Sequence, residues 1–375
     1  MKIGFDAKRA FNNSTGLGNY SRFVISSLIK FYPENEYYLF TPRVSNRFKN
    51  YFTHQENVKI ITPEKFIHKK FPATWRSIWL TKILEKHKID LFHGLSNELP
   101  HRIAESTVKS VVTIHDLIFL RFPQYYNFID KRIYKKKFRR AAQNADSVIS
   151  VSQQTKSDSV DFFGISSSKI NVIYQNCDEV FNNKMDVEFC NIVKRKYGLS
   201  EKYILSVGTI EERKNQLTLV KSIGKIEDKS VKIVLAGNQS DYVNKIKRYI
   251  SKNKLADRVV FIPYFEKTEL PSLYQSAICS VYISEFEGFG IPVLESMRCG
   301  TPTIISNTSS LPEVGGNACL QMDTKDDKQL AGLINRIISD TTLRGNCIKN
   351  GLEQAEKFNA EKISSEIINL YKSLI

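Results

Sequence analysis

The chain has 375 residues, 42% of them hydrophobic and 25% charged, and carries a net charge of +16. That length suits two globular domains, each able to bury its own core, and no run of about 18 uncharged apolar residues is present to span a membrane. The six cysteines form no C-x-x-C pair and all follow the last of the six histidines, so no zinc spacing can be written and the thiols read as reduced.

Residues 2–6 read as a strand and open the chain without a signal-peptide core, so a cytoplasmic location is expected. Thr15-Gly16-Leu17-Gly18-Asn19-Tyr20 is a glycine-rich turn into a helix predicted over 19–31, with Tyr20, Phe23, Val24 and Leu28 on one side. Strands are predicted at 36–41 and 58–61, a helix at 74–88, and strands at 89–93, 109–115 and 147–151. A break falls near 173–181, and the pattern then restarts. Strands at 203–207, 231–236, 259–262, 279–283 and 303–306 alternate with helices at 217–226 and 241–252, and a last helix covers 360–374. Two such series predict an α/β chain with two Rossmann-like parallel-sheet domains. Ligands of open α/β sheets sit beyond the carboxyl ends of the strands, so the expected active site is a deep cleft across which the two domains face each other.

The charge is uneven. Residues 1–178 hold 28 Lys and Arg against 15 Asp and Glu, whereas the remainder holds 27 against 24. The first half therefore faces something anionic. Its densest stretch is 131–140, Lys-Arg-Ile-Tyr-Lys-Lys-Lys-Phe-Arg-Arg, where Ile133, Tyr134 and Phe138 give a modest apolar stripe. Two explanations stand: an interfacial helix on an acidic membrane, and a solvated face that keeps the protein soluble. Trp75 and Trp79, four residues apart, read as core packing, with an acceptor or lipid contact as the alternative. No DNA- or RNA-binding module is recognisable, so nucleic acid is not an expected partner.

The most informative stretch is 284–302. Glu287 precedes a turn of Gly288, Phe289 and Gly290, an apolar run from Ile291 follows, and Glu295 and a Gly-Thr-Pro stop come after. Glycines admit close approach of a ligand to the backbone, and the helix they open offers unpaired N–H groups to an anion. Eight residues at a helical rise of ~1.5 Å put the two carboxylates at most ~12 Å apart, about the span of a nucleotide sugar. A second loop, Gly208-Thr209-Ile210-Glu211-Glu212-Arg213-Lys214, follows a strand end and could neutralise a diphosphate.

With Glu-Gly-Phe-Gly-Ile-Pro-Val-Leu-Glu and Cys-Gly-Thr-Pro in register, this stretch resembles the signature of retaining family 4 glycosyltransferases of the GT-B fold. The resemblance covers essentially the whole chain and is strongest in the second half. It implies an N-terminal acceptor-side domain at 1–173, a nucleotide-sugar-binding domain at 174–358, and a C-terminal helix at 359–375 that packs back on the N-terminal domain. It implies that Glu287 touches the donor sugar, that Glu295 holds the ribose hydroxyls, and that Lys214 and Arg213 bind the diphosphate, although many members carry an arginine where this chain has Thr209. Gly208, Gly288, Phe289, Gly290 and Ile291 complete the donor site, with Tyr264 near the nucleobase. Gly16 and Gly18 match the family's N-terminal loop near the donor phosphates, and His115 matches a histidine that contacts the transferred sugar. Asp6, Lys8, Arg9 and His93, at strand ends, are candidates for the acceptor pocket. Cys177 departs from the Asn-Gly usual at the hinge.

These matches imply an enzyme that moves a hexose, with GDP-mannose the first expectation and a UDP-sugar the second. The expected acceptor is a glycan or a lipid-diphosphate-linked molecule of surface polysaccharide assembly. Neither cofactor nor metal is expected, and peripheral contact with the acidic inner membrane face is. Another GT-B enzyme, such as a phosphorylase or a nucleotide-sugar epimerase, and a non-catalytic nucleotide-sugar-binding subunit are the alternatives.

Overall fold

Runs such as Val111-Val112-Thr113-Ile114 are apolar on both sides of the strand, as a sheet covered on both faces requires. In the computed structural model, which describes residues 1–52 and 55–375, such runs form two all-parallel sheets. The chain divides into two compact units, one made of Met1–Asn176 with Phe358–Ile375, the other of Cys177–Lys357.

The first unit holds β1 (Lys2–Asp6), β2 (Glu36–Phe40), β3 (Val58–Ile61), β4 (Leu91–Gly94), β5 (Lys109–Ile114), β6 (Ser147–Ser150) and β7 (Ile170–Val172). Their order across the sheet is β3-β2-β1-β4-β5-β6-β7. The Gly16–Phe31 helix buries Tyr20, Val24 and Leu28, residues four apart on one face, and packs against the C-terminal helix Ala360–Leu374. The helix expected from residue 74 starts at Pro72 and passes through a π-helical stretch at Trp75–Trp79, with Trp75 buried.

The basic helix spans Phe128–Asn144, and Asn127 caps it by accepting from the Asp130 amide at 2.8 Å. Its apolar residues divide in a way the sequence did not suggest. Tyr134 and Phe138 pack edge-on against Phe119, with ring centroids 5.8 and 5.5 Å away, so they belong to the core. Phe128, Ile129 and Ile133 are exposed.

The second unit holds β8 (Tyr203–Val207), β9 (Lys232–Ala236), β10 (Val259–Ile262), β11 (Cys279–Tyr282), β12 (Thr303–Ser306) and β13 (Leu320–Met322), ordered β10-β9-β8-β11-β12-β13. Its core is aliphatic, with Ile204, Val220, Ile233, Leu235, Ile246 and Ile334 fully enclosed. Each sheet runs outward from its first strand in both directions. The order therefore reverses between β1 and β4 in one sheet and between β8 and β11 in the other, and ligands bind beyond the strand ends at such a reversal.

Candidate active site

In the second unit the loops beyond β8 and β11 leave the sheet side by side at the reversal point. The first carries Gly208, Arg213 and Lys214; the second carries Glu287 and the glycine turn. They are tied together by the backbone, since the Glu285 amide donates to the Arg213 carbonyl at 2.8 Å. Ser310 donates to the carbonyls of Glu287 (3.0 Å) and Phe289 (2.8 Å), and the Glu287 amide donates to Ser309 Oγ at 3.0 Å. Gly290 adopts φ of 118°, and a Cβ there would lie 2.7 Å from Leu311 Cδ2, so the residue before the Ile291–Arg298 helix has to be glycine.

Glu287 is buried, and its contacts converge on one oxygen. Oε1 accepts from Ser284 Oγ at 2.8 Å and from the Tyr282 hydroxyl at 2.9 Å, and it lies 2.8 Å from Arg213 NH1 and 3.6 Å from Lys214 Nζ. Burial alone would push the carboxyl upward, but Arg213, Lys214 and the two hydroxyls outweigh it and hold the pKa down to about 2. Glu287 is thus a fixed anion. Among the described residues none of these contacts falls on Oε2.

Arg213 turns toward the carboxylates: NH2 pairs with Glu211 Oε1 at 2.5 Å, and NH1 also donates to the Phe286 carbonyl. Lys214 is different. Its Nζ donates to the Tyr282 hydroxyl at 2.7 Å, and its chain runs past Gly208, where a Cβ would come within 3.0 Å of Nζ. Burial works against the ammonium, but Glu287 and Tyr282 more than compensate and raise its pKa above the usual lysine range.

Glu295 lies one turn into the Ile291–Arg298 helix, half-buried, with the Tyr274 hydroxyl 3.1 Å from Oε2. Burial pushes its pKa up to about 7, against the pull of Tyr274 and Lys267. Tyr264 is exposed on the loop beyond β10, and its hydroxyl donates to Glu266 at 2.5 Å.

The other candidates belong to the first unit. His115, just beyond β5, donates from Nε2 to the Leu95 carbonyl at 2.9 Å, which fixes the tautomer and makes Nδ1 an acceptor. Its own amide donates to Asn97 Oδ1 at 2.8 Å, and Tyr20 packs edge-on with a centroid distance of 4.6 Å. Burial, aided by the charge of Arg9, lowers the His115 pKa to about 4, so the ring is neutral at pH 7. Beyond β1, Asp6 accepts from the Lys8 amide at 3.2 Å and lies 3.5 Å from Arg76 Nε. Burial and the neighbouring cations Arg76 and Arg9 lower the Lys8 pKa. Gly16 is exposed, whereas the Gly18 amide is taken by Asn13 Oδ1 at 3.2 Å, and a Cβ on Gly18 would lie 1.9 Å from the Asn13 carbonyl oxygen. Gly18 therefore serves the turn itself.

The acceptor role expected of His93 is corrected. The residue is fully enclosed, with Nε2 2.8 Å from Thr113 Oγ1 and Nδ1 2.5 Å from the Tyr371 hydroxyl on the C-terminal helix. Burial, reinforced by His115, lowers its pKa to about 3. Both ring nitrogens are used inside the core, where His93 fastens the C-terminal helix to the sheet.

Reading the sequence assigned no role to the hydroxyl groups of Tyr282, Ser284, Ser309, Ser310 and Tyr274. Tyr282 and Ser284 lie in or beside a run that otherwise signals only a buried strand. Their one visible clue was a hydroxyl at the end of an apolar strand just before the glutamate.

Residues 24–178 match the model of Glycosyltransferase Family 4 and residues 191–354 that of Glycosyl transferases group 1. The O-antigen chain mannosyltransferase B of Escherichia coli is 29% identical over 295 residues, covering 78% of this chain and 76% of that protein. The O-antigen chain mannosyltransferase RfbU of Salmonella typhimurium is 29% identical over 226 residues, and the match spans only 60% of either chain. The crystal structure of Anabaena HepE in complex with UDP and glucose superposes with a TM-score of 0.76 over all of both chains at 19% identity. The chain belongs to the glycosyltransferases that join a family 4 domain to a group 1 domain in the GT-B fold.

Proposed function

We propose that this glycosyltransferase is a retaining, metal-independent hexosyltransferase, that its donor is GDP-mannose, and that its acceptor is a glycan or a lipid-diphosphate-linked molecule of surface polysaccharide assembly. The observation that carries this is Glu287, an anion held by Arg213 and Lys214 with its contacts gathered on Oε1. A carboxylate held this way can accept from hexose hydroxyls through Oε2 and favour positive charge growing on the ring.

As the glycosidic bond breaks, negative charge grows on the leaving diphosphate. Lys214 and the amides at the start of the Ile291–Arg298 helix supply fixed positive potential for it, the work a divalent cation does in other enzymes. Arg213 keeps Glu287 ionised and oriented. Glu295 receives the ribose hydroxyls. His115, neutral with Nδ1 as acceptor, suits a hydroxyl of the transferred sugar. Retention rests on the resemblance of the Glu287 and Glu295 pair to the family signature, mannose on the names of the relatives, and a UDP-sugar stands second because HepE binds UDP.

The assignment is tested by incubating the chain with GDP-mannose, UDP-glucose or UDP-galactose and a candidate acceptor, with and without EDTA. Expected is an EDTA-insensitive α-linked product seen by NMR. Phosphate-dependent turnover, epimerised donor, or donor binding without turnover would replace the assignment with a phosphorylase, an epimerase or a binding subunit respectively.

The surface of the first unit supports an acidic membrane as partner at the cytoplasmic face. Phe66 (82% exposed), Ile67, Phe71 and Ile78 stand out beside Lys65, Lys69 and Lys70, and Ile129 (68% exposed), Phe128 and Ile133 stand out beside Arg132, Lys135 and Lys136. The elements that carry Ile78 and Ile129 both touch the segment 98–101. Glu98 pairs with both Arg76 and Lys137, and the His101 amide donates to the Ser77 carbonyl at 2.6 Å while its ring accepts from Arg140. Burial and the nearby charges of Arg76 and Arg140 lower the Lys137 pKa, a crowding of cations that an anionic surface relieves. Sedimentation with anionic vesicles but not with neutral phosphatidylcholine is expected, and Phe66→Ser with Ile129→Ser should weaken it. Binding to neither vesicle removes the membrane from the proposal. Among the described residues no helix is long and apolar enough to cross a membrane.

A further inference from the structure

Tyr282 ends β11 as a buried tyrosine whose hydroxyl stands between two charges. Glu287 is ionised and can only accept, so the hydroxyl must donate to Oε1 at 2.9 Å. The ammonium of Lys214 can only donate, so the same oxygen must accept from Nζ at 2.7 Å. The proton order is therefore fixed: Lys214 N–H to Tyr282 O, Tyr282 O–H to Glu287. With the hydroxyl in place, Nζ and Oε1 remain 3.6 Å apart, longer than a direct charge-assisted hydrogen bond.

We propose that Tyr282 is a positioning residue, a spacer that stops Lys214 and Glu287 from closing on each other so that each keeps a face for the donor. Three features build the spacer. Its ring is enclosed at the strand end and holds the hydroxyl in place. The ammonium lies 4.9 Å from the ring centroid, and on another side the lysine chain runs past Gly208, where even a methyl group would crowd it. Lys214 is thus confined, and its easiest displacement is toward Glu287. Opposite charges attract strongly in a buried site, so removal of the hydroxyl lets the pair collapse into direct contact. Collapse turns an ammonium proton away from the diphosphate and commits more of the Glu287 carboxylate.

This inference rests on the donor-site assignment above but not on the identity of the sugar. Its test is a double-mutant cycle on the full chain with Tyr282→Phe and Lys214→Ala, read by calorimetric affinity for GDP and UDP and by kcat for transfer. Alone, Tyr282→Phe should lower kcat about 30-fold and nucleoside diphosphate affinity about 5-fold, the size expected when a charge-assisted contact is mispositioned. In the Lys214→Ala background the same change should alter nucleoside diphosphate affinity by no more than about 2-fold, since a residue acting through the lysine has nothing left to act on, whereas part of the kcat loss persists because the hydroxyl also donates to Glu287. Equal losses of affinity in both backgrounds would overturn the spacer, because a merely structural tyrosine gives additive losses. If the wild-type chain binds neither nucleotide, the donor-site assignment falls and the spacer with it; if it binds and the losses of affinity are additive, the spacer alone falls.

Discussion

Glu287 and Glu295 share one short stretch of sequence, yet their surroundings drive them in opposite directions. Around Glu287 two cations and two hydroxyls overcome burial and hold the pKa down to about 2; around Glu295 burial prevails and raises it to about 7. The difference shows which of the two the fold can keep charged by itself. Glu287 is an anion before any ligand arrives. Glu295 sits near half-ionisation at neutral pH, so a donor that offers it hydroxyl hydrogens helps to ionise it. Titratable groups pushed apart in this way commonly divide the labour of a site.

The strongest way to break this comparison is at Glu287. Glu287→Gln keeps the shape and removes the charge, and should lower kcat about 10³-fold, comparable to losing a group that acts mainly on the transition state. Alanine is the poorer choice, because it also leaves Arg213 and Lys214 around an empty space in a buried site. The glutamine variant should also lose acid sensitivity. A folded-state pKa below the ordinary 4.5 means that Glu287 stabilises the fold above that pH and loses this contribution as pH falls toward about 2. The melting temperature of wild type should therefore fall more steeply than that of Glu287→Gln between pH 5 and pH 3, as read by thermal melts, and parallel curves would deny the pairing. Next in size is Lys214→Ala, expected to weaken nucleoside diphosphate binding about 10- to 100-fold, the loss of one charge-assisted contact. Unchanged calorimetric affinity would remove Lys214 from the diphosphate.

Much of this architecture was legible before any coordinates. Long runs such as 109–114 and 203–207 announced strands because they are apolar on both faces. Two strands escaped notice, β7 (Ile170–Val172) and β13 (Leu320–Met322), each three residues long at the edge of its sheet, too short for a pattern to repeat. In the candidate site, Glu287 and Glu295 stood out because they belong to a signature, and Lys214 because two adjacent cations follow a strand end. The hydroxyls that set the electrostatics did not, since Tyr282 and Ser284 look like any residues around a buried strand. His93 was misread for a related reason. A histidine at a strand end suggests chemistry, and the tyrosine that claims it lies 278 residues away in sequence.

The raised pKa of Glu295 gives a test of intermediate size. If ionised Glu295 clamps the ribose, nucleoside diphosphate affinity should rise roughly tenfold from pH 6 to pH 8, following the change in ionised fraction around a pKa of about 7. Binding at pH 7 should release protons, seen as a calorimetric heat that varies with the ionisation enthalpy of the buffer. Glu295→Gln should be flat over this range and release none from this site. The sign for stability is opposite to that at Glu287: a carboxyl whose folded pKa is raised from 4.5 to about 7 destabilises the unliganded fold as pH rises through that window. Wild type should therefore lose more melting temperature from pH 5 to pH 7 than Glu295→Gln does.

The smallest effect should come from Tyr274, whose hydroxyl is 3.1 Å from Glu295 Oε2 and opposes the upward push of burial. Tyr274→Phe keeps the enclosed ring and removes that hydrogen bond, so the carboxylate loses a partner that favours its charged form. The pH midpoint for nucleotide binding should move upward, and affinity at pH 7 should fall about threefold, within the range for one hydrogen bond to a charged group or less. At pH 9, where Glu295 is ionised in either protein, the gap should narrow. A loss that stays the same at pH 7 and pH 9 would mean that Tyr274 serves the ligand or the packing directly, and that it does not set the Glu295 pKa. The narrowing gap is what ties the tyrosine to the carboxylate, because packing against an enclosed ring does not titrate between pH 7 and pH 9.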